Sequence, residues 1–229
     1  MTGIIAHRGF NGLYPENTRR AFEEALKLDI AGIECDVNLS QDGEVVVIHD
    51  LTVDRTSDGS GEVGQMTLDE LRKLNIGTED DPQRILLLDE LLDLLEQYPG
   101  KHILIETKHP SPFGPALEEA VARVLRARGM ERDPRVHLIS FNPEAIERFH
   151  QLLPELETFL LADAGFEPVG GCGAGPSVRL ARQQTELLDG RFRTYVWTVN
   201  LPKDMLWLQH HGASLIGTDL PHIALETLA

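Results

Sequence analysis

Short apolar segments alternate with amphipathic segments along nearly the whole chain of 229 residues. Short apolar runs bounded by turn residues are typical of strands, and apolar residues spaced three and four apart are typical of helices. Strands are predicted at 4–7, 33–39, 103–107, 136–141, 158–162, 195–199 and 215–218, with a weak eighth near residue 169. Helices are predicted between them, at 19–28, 87–95, 115–128, 143–152, 178–188 and 203–211. This alternation predicts an α/β fold, a (β/α)8 TIM barrel.

Length and composition fit one globular unit. Barrels of this type reach about 250 residues as one domain, so residues 1–229 are predicted to form a single domain. The net charge of −16 opposes binding to nucleic acid or to anionic lipid. No apolar run approaches the length of a membrane-spanning helix, and the start of the chain lacks the pattern of a secretory signal. We therefore expect a cytoplasmic protein without stable membrane insertion, with Cys35 and Cys172 reduced.

One apolar run breaks the alternation. Residues 45–48 follow the second strand too closely for a parallel crossover, and Asp42-Gly43 between two apolar runs is a hairpin signal. We predict an antiparallel return that brings His49 back beside the second strand. The segment after it, about 51–84, is rich in Gly, Asp and Thr, and it predicts a small insertion on the active-site side of the barrel.

Three acidic residues are candidate metal ligands. Glu34 and Asp36 lie two apart in a predicted strand and therefore share one face. Glu106 lies at the carboxyl end of the next strand along the chain, where barrels of this type carry their active sites. Each acid could instead pair with a Lys or Arg, but three converging carboxylates favour a hard cation such as Ca2+ or Mg2+.

Two histidines and two cations complete the candidate site. His7 and His49 each follow a predicted strand, and histidine suits proton transfer near neutral pH. The alternative is that both histidines bind a metal, which would favour zinc. Arg8 and Lys108 beside a metal would clamp a phosphoryl group, or they could form ion pairs with the carboxylates.

Other segments carry weaker signals. Trp197 fits either the core or the apolar wall of a substrate pocket. Asn17 or Thr18 is the predicted N-cap of the first helix. The glycine-rich stretch 170–175 lacks the spacing of a phosphate-binding loop and is interpreted as a flexible connection.

Taken in order, the motifs of the chain resemble one known family. They are His7-Arg8-Gly9, Pro15-Glu16-Asn17-Thr18, Glu34-x-Asp36-Val37, Asp42-Gly43, His49-Asp50, Asp54-Arg55-Thr56, Glu106-x-Lys108, Trp197-Thr198-Val199-Asn200 and Thr218-Asp219-x-Pro221. Together they resemble the glycerophosphodiester phosphodiesterases over nearly the whole length. Residues 162–176 depart from the pattern, which leaves the preference for the alcohol group open.

The resemblance implies a (β/α)8 barrel with a small insertion at about 51–84. It implies that His7 and His49 are the general acid and base. It implies that one divalent cation, Ca2+ or Mg2+, is bound by Glu34, Asp36 and Glu106, and that Arg8 and Lys108 contact the phosphate or the glycerol. The substrate class is then a small-molecule glycerophosphodiester.

The expected reaction is metal-dependent hydrolysis of a glycerophosphodiester to glycerol 3-phosphate and an alcohol. One alternative is cleavage of intact lipid, as in phospholipases C or D, against which the chain offers no amphipathic or basic membrane-facing segment. Another alternative is a barrel that binds glycerophosphodiesters without turnover, for which a missing histidine or carboxylate would be expected. The oligomeric state is left open, with a homodimer as one option.

Overall fold

The computed structural model describes residues 2–229. Its strands are β1 (Gly3–Ala6), β2 (Gly32–Leu39), β3 (Val45–Val47), β4 (His102–Thr107), β5 (Val136–Ser140), β6 (Glu157–Ala162), β7 (Gly173–Pro176), β8 (Tyr195–Val196) and β9 (Leu215–Thr218). Its α-helices are α1 (Arg19–Leu26), α2 (Leu68–Leu71), α3 (Leu88–Glu96), α4 (Ala116–Ala127), α5 (Pro143–Leu152), α6 (Val178–Gln183), α7 (Pro202–His210) and α8 (Pro221–Leu228). Short 3-10 helices cover Val63–Gln65 and Thr185–Leu188.

Eight parallel strands form the predicted barrel. Their order around the sheet is β1, β2, β4, β5, β6, β7, β8 and β9, with β9 pairing back onto β1. Parallel bridges from Ala174 to Thr194 and from Ser177 to Trp197 join β7 to β8 and bring the ring close to closure. The predicted TIM barrel is therefore confirmed.

Strand alternation sorts the side chains between two layers. Ile5, Leu104 and Phe159 belong to a cluster inside the barrel. Cys35 and Val37 face outward into the larger core between strands and helices. Glu34 and Asp36 alternate with these two residues along β2 and therefore point into the barrel. This is why two carboxylates of one strand reach the barrel mouth.

The predicted hairpin is present. β3 runs antiparallel to β2, with Val37 opposite Val47 and Leu39 opposite Val45. The return ends at His49, beside the mouth. The insertion that follows builds its own apolar cluster, in which Leu71 of α2 and Val63 pack with Val46 of β3.

The interpretation of residues 170–175 as a flexible connection is wrong for 173–175, which belong to β7, and the weak strand predicted near residue 169 lies a few residues too early. A Cβ atom at Gly173 would lie 2.5 Å from the ring of Phe159, and one at Gly175 would lie 2.6 Å from the side chain of Leu161. The large side chains of β6 fill the space that β7 leaves empty. The strand is glycine-rich for that reason, and it lacks the apolar signal by which strands are predicted.

Smaller differences lie in the helices. The predicted helix 178–188 is α6 followed by the separate 3-10 helix Thr185–Leu188. Helix α8 was not predicted. Thr18 is the N-cap of α1, since its hydroxyl accepts a hydrogen bond from the amide of Ala21. Across residues 2–229, the apolar helices are all too short to cross a bilayer. Cys35 and Cys172 are both free and buried.

Candidate active site

The predicted site residues converge at the carboxyl ends of the barrel strands. Seven of the eight line one cavity of about 170 Å3, namely His7, Arg8, Glu34, His49, Glu106, Lys108 and Trp197. The eighth, Asp36, is fully buried beside them. Ile139, Leu161 and Tyr195 contribute to the cavity from the other side of the barrel.

The three predicted carboxylates form one compact cluster. Glu34, Asp36 and Glu106 each place a carboxylate oxygen within 4.8 Å of the other two, and all three side chains are buried. Register explains the contact, because Asp36 of β2 lies directly opposite Glu106 of β4. Oε1 of Glu34 and Oδ1 of Asp36 are buried and accept no hydrogen bond, although the Lys108 ammonium lies 3.4 Å from Oδ1 of Asp36. Buried oxygens that accept no hydrogen bond are suited to a hard divalent cation.

Burial and mutual repulsion set the charge of the cluster. Burial raises the pKa of Glu34 well above its ordinary value, and the charges of Asp36 and Glu106 add to that effect. The same two causes, burial and the charge of Asp36, raise the pKa of Glu106 to about 7. Burial also acts to raise the pKa of Asp36, but the charges of Arg8 and Lys108 outweigh it and the pKa is lowered.

Two cations border the cluster. Nε of Arg8 lies 3.2 Å from Oδ2 of Asp36, and Nζ of Lys108 lies 2.5 Å from Oε1 of Glu106 and 3.4 Å from Oδ1 of Asp36. The backbone amide of Arg8 donates to Oε2 of Glu34 over 2.9 Å. Arg8 has a left-handed backbone with φ of 55°, an uncommon conformation for a residue with a side chain. Both cations pair with the carboxylates and still line the cavity, where they can meet an anionic ligand.

Each histidine is held by a carboxylate through the same ring nitrogen. Nδ1 of His7 lies 2.7 Å from Oδ1 of Asp219, and Nδ1 of His49 lies 2.6 Å from Oδ1 of Asp50. A carboxylate only accepts, so Nδ1 carries the proton in both rings. Nε2 of each ring is then left for a ligand in the cavity. Burial lowers the pKa of His49, although the charge of Asp36 opposes this.

Sequence reasoning missed most of the residues that hold this site in place. Asn17 donates from Nδ2 to Oδ2 of Asp36 over 2.9 Å, and Asn200 donates to Oδ2 of Asp219 over 2.7 Å. Glu16, named above only as part of the Pro15-Glu16-Asn17-Thr18 motif, accepts hydrogen bonds from Arg8 and Arg55. The contact between Asp219 and His7 could have been predicted. Asp219 follows the last strand, and in a closed barrel the last strand lies beside β1, which His7 follows.

Trp197 lies at the rim of the cavity. Its indole N–H donates to the carbonyl oxygen of Gly175 over 2.7 Å. Its ring meets that of Phe141 edge to face, with 5.1 Å between the centroids. Phe141 and Leu161 also line a second cleft, which therefore adjoins the cavity at these two residues. The two rings supply an apolar wall opposite the charged groups.

Positive groups that neutralise phosphate charge, together with two imidazoles that can transfer protons, suit the cleavage of a phosphate ester. Fold and site together therefore match the class of barrel enzymes that cleave phosphate esters. Within that class, the chain belongs to the glycerophosphoryl diester phosphodiesterase family, whose sequence profile matches residues 7–223.

Individual relatives agree with this assignment. A glycerophosphodiester phosphodiesterase of Caldanaerobacter subterraneus is 38% identical over 245 residues, which span 98% of this chain and 97% of the relative. A phosphodiesterase structure from Oleispira antarctica, in complex with the product sn-glycerol-3-phosphate, superposes with a TM-score of 0.89. It is 27% identical, and the match covers 100% of this chain and 97% of that one. A glycerophosphodiester phosphodiesterase structure from Agrobacterium tumefaciens has a TM-score of 0.83 at 27% identity, with 99% and 100% coverage.

Proposed function

We propose that this chain hydrolyses glycerophosphodiesters to glycerol 3-phosphate and an alcohol. The observation that carries the proposal is the cavity itself. It places two carboxylate-held imidazoles and two cations around a cluster of three buried carboxylates. Family membership and the product complex of the Oleispira relative point to the same substrate class. The partner of the protein is then a small molecule.

We assign Glu34, Asp36 and Glu106 to one divalent cation, with Ca2+ or Mg2+ as the candidates. The ligand set supports this, because all three residues are carboxylates and two of their buried oxygens accept no hydrogen bond. Hard cations prefer such oxygen ligands. A cation held there would supply charge neutralisation at the phosphate. Three buried carboxylates are also costly to keep ionised without added positive charge.

Arg8 and Lys108 bind the phosphate oxygens in this proposal. Both side chains pair with the carboxylate cluster and also line the cavity, so each can turn one N–H toward an anionic ligand while keeping its ion pair. Trp197 contributes an apolar wall against the carbon atoms of the substrate. These residues fix the diester so that its phosphorus atom faces the two histidines.

His7 and His49 transfer the protons. One Nε2 accepts the proton of the nucleophile, and the other ring donates a proton to the oxygen of the departing alcohol as the P–O bond breaks. The nucleophile is either water or the glycerol 2-hydroxyl, which lies next to the phosphate and is favoured by proximity. The second route passes through a cyclic glycerol phosphate that water then opens.

The proposal treats residues 1–229 as one barrel domain with residues 51–84 as an insertion at its mouth, acting in the cytoplasm. The separate apolar cluster of the insertion supports this division. A barrel that only binds its ligand is the less favoured alternative. It has no need for two imidazoles whose ring nitrogens are each fixed by a carboxylate.

A coupled assay for glycerol 3-phosphate tests the function. The purified protein should be supplied with glycerophosphocholine, glycerophosphoethanolamine and glycerophosphoglycerol in the presence of Ca2+, Mg2+ or Mn2+. The proposal expects glycerol 3-phosphate from at least one diester, and no release of the head group from the matching intact phospholipid. Binding of all three diesters without product, measured by calorimetry, would instead support the binding barrel.

A further inference from the structure

Arg55, in the insertion, binds two carboxylates with one guanidinium group. Its Nε and Nη2 donate to the two oxygens of Asp50 over 2.6 and 3.1 Å. Its Nη1 and Nη2 donate to the two oxygens of Glu16 over 2.8 and 2.7 Å. These two bidentate contacts use all three nitrogen atoms of the guanidinium group, a geometry that the single ammonium of lysine cannot reproduce.

Each of these carboxylates holds a residue of the active site. Oδ1 of Asp50 accepts from Nδ1 of His49. Oε1 of Glu16 accepts from Nη1 of Arg8 over 3.0 Å, and Arg8 continues to Asp36 through its Nε. The guanidinium of Arg55 therefore lies between His49 and Arg8, and a single carboxylate separates it from each of them.

Ionic contacts, not apolar packing, join the loop after β1 to the insertion where Glu16 meets Arg55. A cleft of about 750 Å3 separates residues 11–16, after β1, from the insertion, and both Glu16 and Arg55 line it. The Arg55 side chain is half exposed and does not belong to any apolar cluster, whereas Glu16 is mostly buried. The hydrogen bond from Arg55 is the main cause that lowers the pKa of Asp50 to about 2, so that carboxylate remains a charged acceptor for His49.

We propose that Arg55 is a positioning residue, which aligns the His49 imidazole through Asp50 and the Arg8 guanidinium through Glu16. This inference rests on the proposed function, in which His49 transfers a proton and Arg8 binds phosphate. It gives the insertion a defined task at the active site: it supplies the arginine that connects the loop after β1 with the end of β3.

Kinetics of an Arg55→Met variant test the proposal. Small displacements of catalytic groups cost up to about a hundredfold in rate, so kcat/KM should fall by roughly ten- to a hundredfold. Arg55→Lys should recover only a small part of this loss, because an ammonium group cannot bind both carboxylates bidentately. Arg191→Met is the matched control. Arg191 is also exposed, and its Nε donates to both oxygens of one aspartate, Asp189, in the loop before β8. Its loss should leave kcat/KM within about twofold of the wild type.

Two further variants separate the connection from Arg55 to His49 through Asp50 from the connection to Arg8 through Glu16. Asp50→Asn should act mainly on kcat, through His49, and Glu16→Gln mainly on KM, through Arg8. Adding Arg55→Met to Asp50→Asn should lower kcat little further, since both changes break the same connection. A merely structural role for Arg55 predicts instead that the losses multiply and that the melting temperature falls. Wild-type kinetics for Arg55→Met or for Arg55→Lys would overturn the proposal.

A spectroscopic readout makes the test independent of turnover. In 15N-labelled protein, the Nδ1–H signal of His49 should be visible and protected in the wild type. It should be lost or averaged between tautomers in Arg55→Met, while the Nδ1–H signal of His7 should stay unchanged because Asp219 holds it. An unchanged His49 signal contradicts the inference, whatever the assay gives. Absence of glycerol 3-phosphate from the wild type would count against the proposed function alone.

Discussion

At the scale of single residues, the site depends on keeping three carboxylates close together in a place with little water. Glu34 and Asp36 are buried almost completely. An isolated buried carboxylate is costly, and two or three together repel each other. Arg8 and Lys108 offset part of this cost at Asp36, while Glu34 and Glu106 retain raised pKa values. The metal-free protein therefore holds protons that a bound cation would displace.

This charge balance predicts that cation binding depends on pH. The pKa of Glu106 is about 7 in the metal-free protein, so near pH 6 its carboxyl must lose a proton when the cation binds. Affinity should weaken by up to about tenfold for each pH unit below that pKa. Isothermal calorimetry in two buffers of different ionisation enthalpy should detect more proton release near pH 6 than at pH 8. Affinity that is constant over this range would contradict the assignment.

The raised pKa of Glu106 also determines how the stability of the metal-free protein changes with pH. Glu106 has a pKa of about 7 in the folded protein against an ordinary value of 4.5. Between these values the native state binds more protons than the unfolded state. The contribution of this group to the stability of the metal-free protein therefore falls as pH rises through that window. Added cation should remove this decline.

Replacing either histidine tests the assignment of proton transfer. His7→Ala and His49→Ala should each lower turnover by roughly a hundredfold or more, while cation affinity changes little because the ligands are carboxylates. A diester with an activated aryl leaving group should partly rescue whichever variant lacks the general acid. The exposed His210 on α7 supplies the control, since His210→Ala should behave as the wild type. Near-wild-type turnover in both active-site variants would overturn the acid–base assignment.

At the scale of secondary-structure elements, the residues that could be predicted are those that depend on local pattern. The period of two in β2 correctly placed Glu34 and Asp36 on the inner face, and Asp42-Gly43 correctly indicated the hairpin. Strand β7 was predicted only weakly and too early, near residue 169, because its glycines are required by Phe159 of β6, a contact that strand periodicity does not reveal. Asn17 bonds Asp36, 19 residues away, from a backbone conformation with φ of 57°. Sequence spacing does not predict that contact.

The insertion is an element whose packing can be tested separately. Leu71 is fully buried in the cluster of the insertion, whereas Leu125 of α4 is fully buried in the main core. Each leucine-to-alanine change should lower the free energy of unfolding of the cluster that contains it by about 2–5 kcal/mol. In Leu71→Ala, amide hydrogen exchange should speed up within residues 51–84, and KM should rise. Leu125→Ala is the matched control, and exchange should speed up across the barrel. An identical exchange pattern in both variants would show that the insertion and the barrel form one cooperative core.

At the scale of the whole molecule, barrel closure brings together residues from opposite ends of the chain. His7 follows β1 and Asp219 follows β9, 212 positions later, and the pairing of β1 with β9 places them in contact. The net charge of −16 leaves an anionic diester with no general attraction to the surface. Specific binding must therefore come from the mouth, where Arg8, Lys108 and a bound cation would concentrate positive charge.

Removal and return of the cation test the central claim most directly. The protein should be treated with a chelator, checked by elemental analysis, and assayed for glycerol 3-phosphate before and after addition of Ca2+ or Mg2+. We expect turnover to disappear on removal and to return with the cation in the wild type, while Glu34→Gln remains folded but needs far more cation. Full turnover by protein that contains no metal would contradict the assignment of Glu34, Asp36 and Glu106 as the metal site.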